Sequence, residues 1–274
     1  MLLHVPHAGL ESFFDSSDIE TGRIAEEMGA VADLNTDWIA RLASSAMEGT
    51  PYLLQSNMTR MECDVEQRLR PRGRMGDEDT GAIYRMGANG ADDPLYSHEI
   101  PQGVIDYRFG ALYMPYHRMF ASMIVEMIER FGFAAIINIH SHGDNQPCCG
   151  PYPYSGGRSE IRVVVNNPAD ESMVGSIIHD RWRHRCLSCM IGSIACGSFT
   201  PEGMGDDSRV HSVMLEFRKD TYMDDHIPMY ADMDALGGLI ASLSSGMMEI
   251  LDSDRLNRPS AMDPGIMIPA ADTR

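Results

Sequence analysis

Apolar and polar residues alternate along the chain in blocks that change period. "LLHV" (2–5) is a short continuous apolar run that stops at Pro6, the pattern of a buried strand. The stretch 18–49 is largely helical in period and closes at Gly49. "PYLLQS" (51–56) predicts a second strand. Residues 66–100 are rich in Gly, Arg and Asp and predict a long irregular excursion, the kind of loop that often carries function. An amphipathic helix follows over 113–132, with Gly132 as its stop signal.

"FAAIINIHSHGD" (133–144) is apolar until its C-terminal end, as expected of a strand covered on both faces. "EIRVVVNN" (160–167) and "HSVMLEFR" (211–218) predict further strands, and 171–187 and 232–253 predict helices. The tail from 255 is polar and proline-rich and is expected to be loosely held. Strands alternating with helices predict an α/β fold, a mostly parallel, twisted mixed sheet with helices on both faces. No internal repeat or shift in composition divides the chain, so residues 1–254 are expected to form one domain and 255–274 a tail.

Such sheets bind ligands beyond the carboxyl ends of their strands. His7 follows the first strand, His140 and His142 end "INIHSH", and Glu216 ends "HSVMLE". His140 and His142 are two apart and share a face if the strand persists that far. Asp37 lies in "LNTDWIA". Taken singly, each has an ordinary reading: a satisfied core histidine, a helix cap, or an ion pair of Glu216 with an arginine such as Arg218. Together, two or three histidines and a carboxylate suit catalytic zinc, which takes three protein ligands and leaves one position for water. A separate carboxylate near that water would move protons, and Glu216 is the candidate.

Composition narrows the partners. The chain has 274 residues and a formal net charge of −18, which disfavours nucleic acid and anionic membrane surfaces. Of 22 basic residues one, Lys219, is lysine, and its run "EFRKD" suggests a solvated side chain rather than Schiff-base chemistry. The 21 arginines suit bidentate grips on carboxylates. No signal peptide precedes the first strand, so a cytoplasmic location with free thiols is expected for the six cysteines at 63, 148, 149, 186, 189 and 196. Cys186 and Cys189 are expected to be idle thiols within a helix, and the Cys148–Cys149 pair lies close to the expected site. No G-x-S-x-G, GxxxxGK[ST] or GxGxxG motif supports a rival chemistry.

The order of motifs resembles the N-formylglutamate amidohydrolase family, which is related in fold to the zinc carboxypeptidases. The matching pieces are "VPHAG" (5–9), "NTDW" (35–38), "TRMECDVEQ" (59–67), "TGAIYR" (80–85), "PLY" (94–96), Arg108 leading to "YMPYH" (113–117), "NIHSHGDNQP" (138–147) and "HSVMLEFRKDTYM" (211–223). The resemblance implies a zinc carboxypeptidase-like hydrolase fold (phosphorylase/hydrolase-like), one zinc ion and hydrolysis of an amide. It implies His7, Asp37 and His140 as metal ligands, with Glu11 as an alternative carboxylate, and Glu216 as general base. Arg60 and Arg108 would hold substrate carboxylates, Asp64 would orient an arginine, and His117 would lie near substrate. It also implies a small anionic amide substrate, N-formyl-L-glutamate first, and a place in histidine breakdown. Another acyl-amino-acid deacylase, a carboxypeptidase, or a binding protein that has lost its metal are the alternatives.

The chain departs from the family pattern in three places. "DVEQ" (64–67) stands for D-x-N-R, which puts Gln67 where an arginine is expected; Arg68 or Arg70 could replace it. His142 takes a position that is generally apolar, where it could also serve as a ligand. The loop after 143 carries the cysteine pair.

Overall fold

The structure is a computed structural model that describes residues 1–13, 21–67, 81–84, 95–96, 99–143, 159–182, 187–192, 197–224 and 227–257. Six strands form one mixed sheet in the order β2-β1-β3-β6-β4-β5. Strands β1 (Leu2–Val5), β2 (Tyr52–Gln55), β3 (Ala134–His142) and β6 (Val210–Arg218) run parallel. Strand β4 (Ile161–Val165) pairs antiparallel with β6 and parallel with β5 (Cys189–Gly192), so both reverse the direction of the sheet. The α/β architecture predicted from the alternating pattern is the one observed.

Burial on both faces explains the continuous apolar runs. One face, with Leu3, Ile137 and Leu215, packs on helices α2 (Thr36–Ala46), α5 (Pro168–Trp182) and α6 (Tyr230–Asn257). Helices α2 and α6 approach so closely that a Cβ on Gly237 would lie 2.9 Å from the amide nitrogen of Ala43. The other face, with Leu2, Ala134 and Ile136, packs on Phe120, Ile124 and Met127 of α4 (Met114–Phe131). The even-numbered residues nearer the ends of these strands include His4, Asn138, His140 and Glu216, so the polar groups lie on the α4 face.

The structure revises several expected elements. The long helical stretch is broken into α1 (Thr21–Val31) and α2, with Asn35 between them at φ 64°. The predicted α4 begins earlier: α3 (Gln102–Arg108) runs through a π-helical turn, Phe109–Tyr113, into α4. Pro115 supplies no N–H, and the wider turn just before it relieves the ladder there. Cys189 opens strand β5 rather than lying in a helix, and Cys186 is outside the described residues. A small hairpin, β7 (Met223–Asp224) and β8 (Ile227–Pro228), was not anticipated. The expected tail begins within α6, which ends at Asn257; residues 258–274 are outside the described set. No helix among the described residues is long and apolar enough to cross a membrane.

Candidate metal centre

Three loops converge at the C-terminal ends of the parallel strands. The first follows β1 and carries His7. It is pressed against the loop after β2, because Gly9 leaves no room for a side chain: a Cβ there would lie 2.3 Å from the Asn57 carbonyl carbon. Glu11 N donates to Asn57 O at 2.9 Å, and Thr59 N donates to Glu11 O at 2.8 Å. The second loop joins α1 to α2. The left-handed turn at Asn35 follows Asp33, whose N–H donates to His7 O at 2.9 Å. Thr36 Oγ1 and Tyr222 Oη donate to the carbonyls of Asp33 and Leu34, at 2.7 and 2.9 Å. Lys219 Nζ donates to Ala32 O at 2.8 Å. Half-buried and engaged there, Lys219 supports the loop, in contrast to the solvated role expected. The third loop, after β2, carries Asp64 and Glu66.

Among the described residues, His7, Asp33 and His140 form one group that could hold a metal ion; one ligand atom from each lies within 4.8 Å of the others. Asp33 Oδ2 faces His140 Nδ1 at 3.1 Å and His7 Nδ1 at 3.6 Å. His7 Nδ1 is buried and has no hydrogen-bond partner among the described residues. The opposite nitrogens meet other acids. His7 Nε2 lies 2.9 Å from Asp64 Oδ1, and His140 Nε2 lies 3.2 Å from Glu66 Oε1. Imidazoles that ligate metals almost always carry such a partner on the second nitrogen, which fixes tautomer and ring orientation. Arg60 in turn donates from Nε and Nη2 to Asp64 Oδ2, at 2.9 and 2.6 Å.

The charges fit a divalent cation. Asp33, Asp64 and Glu66 are three buried or nearly buried acids set against one guanidinium, Arg60. Lys219 also acts on Asp33, so with neutral imidazoles three acids face two cations and the site stays net negative, which suits a cation. The same imbalance governs the protons. Burial alone would lower the His140 pKa, but the charge of Glu66 and the hydrogen bonds to Asp33 and Glu66 raise it to about 10. His7 is raised against burial and Arg60 by Asp64 and Asp33. Burial would raise Asp33, yet its hydrogen bond to His140 and the facing His7 ring hold it well below the usual carboxylate range. His4, by contrast, is lowered to about 3 by burial.

The acid that joins the two imidazoles is Asp33, whereas the sequence reading named Asp37. Asp37 lies in the first turn of α2, beyond the Asn35 reversal, and is not in the three-residue group. Glu11 is exposed and also outside it. Glu216 pairs in register with His140 across β3 and β6 and with Arg162 across β6 and β4, its Oε2 3.7 Å from Arg162 Nη1. Arg108 is buried, with Nε 2.9 Å from Glu62 Oε2 and Nη1 donating to Tyr96 Oη. Glu62 also accepts from Phe13 N at 2.7 Å, so Arg108 braces the loop after His7. His117 stacks on Tyr113 and donates from Nε2 to Val65 O at 2.8 Å. Arg68, Arg70, Cys148 and Cys149 are outside the described residues; Cys63 and Cys189 are free thiols.

The family model of N-formylglutamate amidohydrolase matches residues 1–223. The chain belongs to this family. Among solved structures, the N-formylglutamate amidohydrolase of Ralstonia eutropha JMP134 superposes with a TM-score of 0.70 at 17% identity, covering 94% of each chain. A gene product of Agrobacterium tumefaciens superposes at 0.62, also 17% identical, over 91% of this chain and 90% of its own. At these identities the two structures report the shared fold. No curated protein sequence matches the chain.

In this amidohydrolase-family chain, sequence reasoning missed Asp33 and Glu66. Asp33 lies two residues before the motif that drew attention. Glu66 stands inside the departing "DVEQ" piece, and its signal was the acid itself, placed two residues after Asp64.

Proposed function

We propose that this chain is a zinc-dependent amidohydrolase acting on a small N-acylated acidic amino acid, with N-formyl-L-glutamate giving L-glutamate and formate. The observation that carries this reading is the convergence of His7, Asp33 and His140, with acids on the outer nitrogens of both imidazoles, in a chain of this family. His7, Asp33 and His140 would hold the ion. Zinc, when bound, supplies a Lewis acid that makes water acidic near neutral pH and polarises a carbonyl.

The chain's own residues do the rest. Glu216, on the same sheet face as His140 and one strand away, takes the proton of the attacking water and returns it to the leaving amine. Asp64 holds His7 in place, and Glu66 holds His140. Arg60, fixed by Asp64 with its side chain 20% exposed, would meet a substrate carboxylate. His117, its Nε2 turned to Val65 O, packs beside the site rather than donating into it.

The test is metal analysis of purified protein together with formate release from N-formylglutamate, beside N-acetylglutamate and C-terminal peptides. Near-stoichiometric zinc and selective formate release are expected. Protein fully loaded with metal that cleaves none of these substrates would refute the reading.

A further inference from the structure

Strand β4 is apolar except for Arg162. Ile161, Val163 and Val165 pack into the core on one face of the sheet, so Arg162 points to the opposite face. It is 7% exposed, and arginine is almost never so buried unless its charge is engaged. His140 of β3 pairs in register with Glu216 of β6, and Glu216 with Arg162, so the three residues form one row across one face. Because β4 runs antiparallel to β6, its N-terminal end lies at the edge where β3 and β6 end. Arg162 Nη1 is 3.7 Å from Glu216 Oε2, longer than a hydrogen bond.

The substrate class read above carries two carboxylates. Arg108 Nε faces Glu62 Oε2 at 2.9 Å, and Arg218 Nε donates to Asp220 Oδ1. Arg60 gives Nε and Nη2 to Asp64 and lies in the loop after β2. In the sheet, β2 and β4 stand on opposite sides of β3. A dianion lying across the end of β3 therefore has Arg60 on one side and Arg162 on the other. The base decides which carboxylate is nearer Arg162. Glu216 must come within hydrogen-bond reach of the amide nitrogen to return its proton. The α-carboxylate carbon is two bonds from that nitrogen, and the side-chain carboxylate carbon is four.

We propose that Arg162 binds the α-carboxylate of the substrate and so restricts this chain to amides of amino acids whose α-carboxylate is free. The proposal rests on the amidohydrolase reading above and assigns a residue outside the motif pieces that carry the family resemblance. A guanidinium suits the task because it grips a carboxylate with two parallel N–H bonds. The contact is made in the bound substrate as well as during reaction, so its loss raises KM more than it lowers kcat.

The experiment measures kcat and KM on N-formylglutamate, on its α-carboxamide analogue and on N-formylglutamine, in which the side-chain carboxylate is the one neutralised. In the parent, kcat/KM on the α-carboxamide is expected to lie about 100-fold below that on N-formylglutamate. Arg162→Gln is expected to lose about 100-fold on N-formylglutamate and a similar factor on N-formylglutamine, while its rate on the α-carboxamide stays within about threefold of the parent. Arg162→Lys keeps the charge without the fork and should fall between, and zinc content should match the parent in both variants. A role confined to positioning Glu216 or joining β4 to β6 would lower all three substrates alike. That result, or a loss that follows the side-chain carboxylate instead, would overturn the assignment while leaving the amidohydrolase reading intact. Absence of turnover in the parent protein would overturn both.

Discussion

The backbone N–H of Asp33 donates to the carbonyl of His7 at 2.9 Å, so two of the three residues offering ligand atoms are tied through the main chain. The left-handed turn at Asn35 then carries the chain away, and Asp37 enters α2 on the far side of it. Asp33→Ala is therefore expected to weaken metal binding by at least about 100-fold, the upper end of what partners outside the ligand set contribute. Asp37→Asn should leave it within about threefold. Metal content after dialysis against a graded chelator measures both. Retention in Asp33→Ala together with loss in Asp37→Asn would reverse the assignment.

Asp64 links two functions. One oxygen faces His7 Nε2 and the other takes two bonds from Arg60, so its position determines how the His7 ring turns. Asp64→Asn keeps the shape but weakens the charge-assisted bonds on both sides. A 10- to 100-fold loss of metal affinity is expected. The same chelator titration checks it, and unchanged affinity would show that His7 is oriented by other contacts.

Much of this arrangement was legible beforehand, and the limit has a physical form. His7, His140 and Glu216 sit at the ends of regular apolar runs, and a parallel sheet forces strand ends to one edge. Asp33 and Glu66 depend on something else. Asp33 is brought in by a reversal at a non-glycine residue, which no periodicity marks. Glu66 is brought in by a loop whose path is set by its contact with Gly9.

The close contact at Gly9 makes a prediction about stability. An added methyl group would overlap the Asn57–Met58 backbone, which cannot yield as a side-chain tip would. Gly9→Ala is expected to destabilise the fold by about 1–3 kcal/mol, in the range of overpacking, and to lower metal affinity by shifting His7. Gly29→Ala, in helix α1 with nothing within 4 Å of the new Cβ, is the control. It should be neutral or stabilising by up to about 1 kcal/mol. Thermal melts of the two variants settle the comparison; equal midpoints would remove the steric argument.

His4 sets part of the acid limit of stability. It donates from Nδ1 to Asn138 Oδ1 at 2.5 Å, while its ring packs among Tyr116, Phe120 and Phe199 and its buried Nε2 has no hydrogen-bond partner among the described residues. The folded pKa of about 3 lies below the ordinary 6.5 of the unfolded chain. As pH falls below 6.5 the unfolded state takes up a proton that the folded state refuses. The contribution is thus fully present above 6.5 and is lost as pH falls toward 3, with a slope approaching about 1.4 kcal/mol per pH unit. Other groups titrate in that window, so the informative quantity is the parent-minus-variant difference for His4→Gln in urea unfolding at several pH values. A difference that does not change between pH 7 and pH 4 would remove His4 from the acid response.

Glu216 separates binding from chemistry. It is 9% exposed and one strand from His140, and among the described residues it belongs to no group that could hold the ion. Glu216→Gln preserves size and hydrogen-bonding capacity but cannot take up a proton from water. Zinc content should therefore match the parent, while kcat on N-formylglutamate is expected to fall by about 10²- to 10⁴-fold, the usual contribution of a positioned base. Arg162, 3.7 Å away, provides the control. If the pair served only to hold β4 against β6, Arg162→Gln and Glu216→Gln would lower stability alike and affect turnover alike. Proton transfer at Glu216 instead requires a loss of kcat in Glu216→Gln far greater than in Arg162→Gln at comparable melting temperatures.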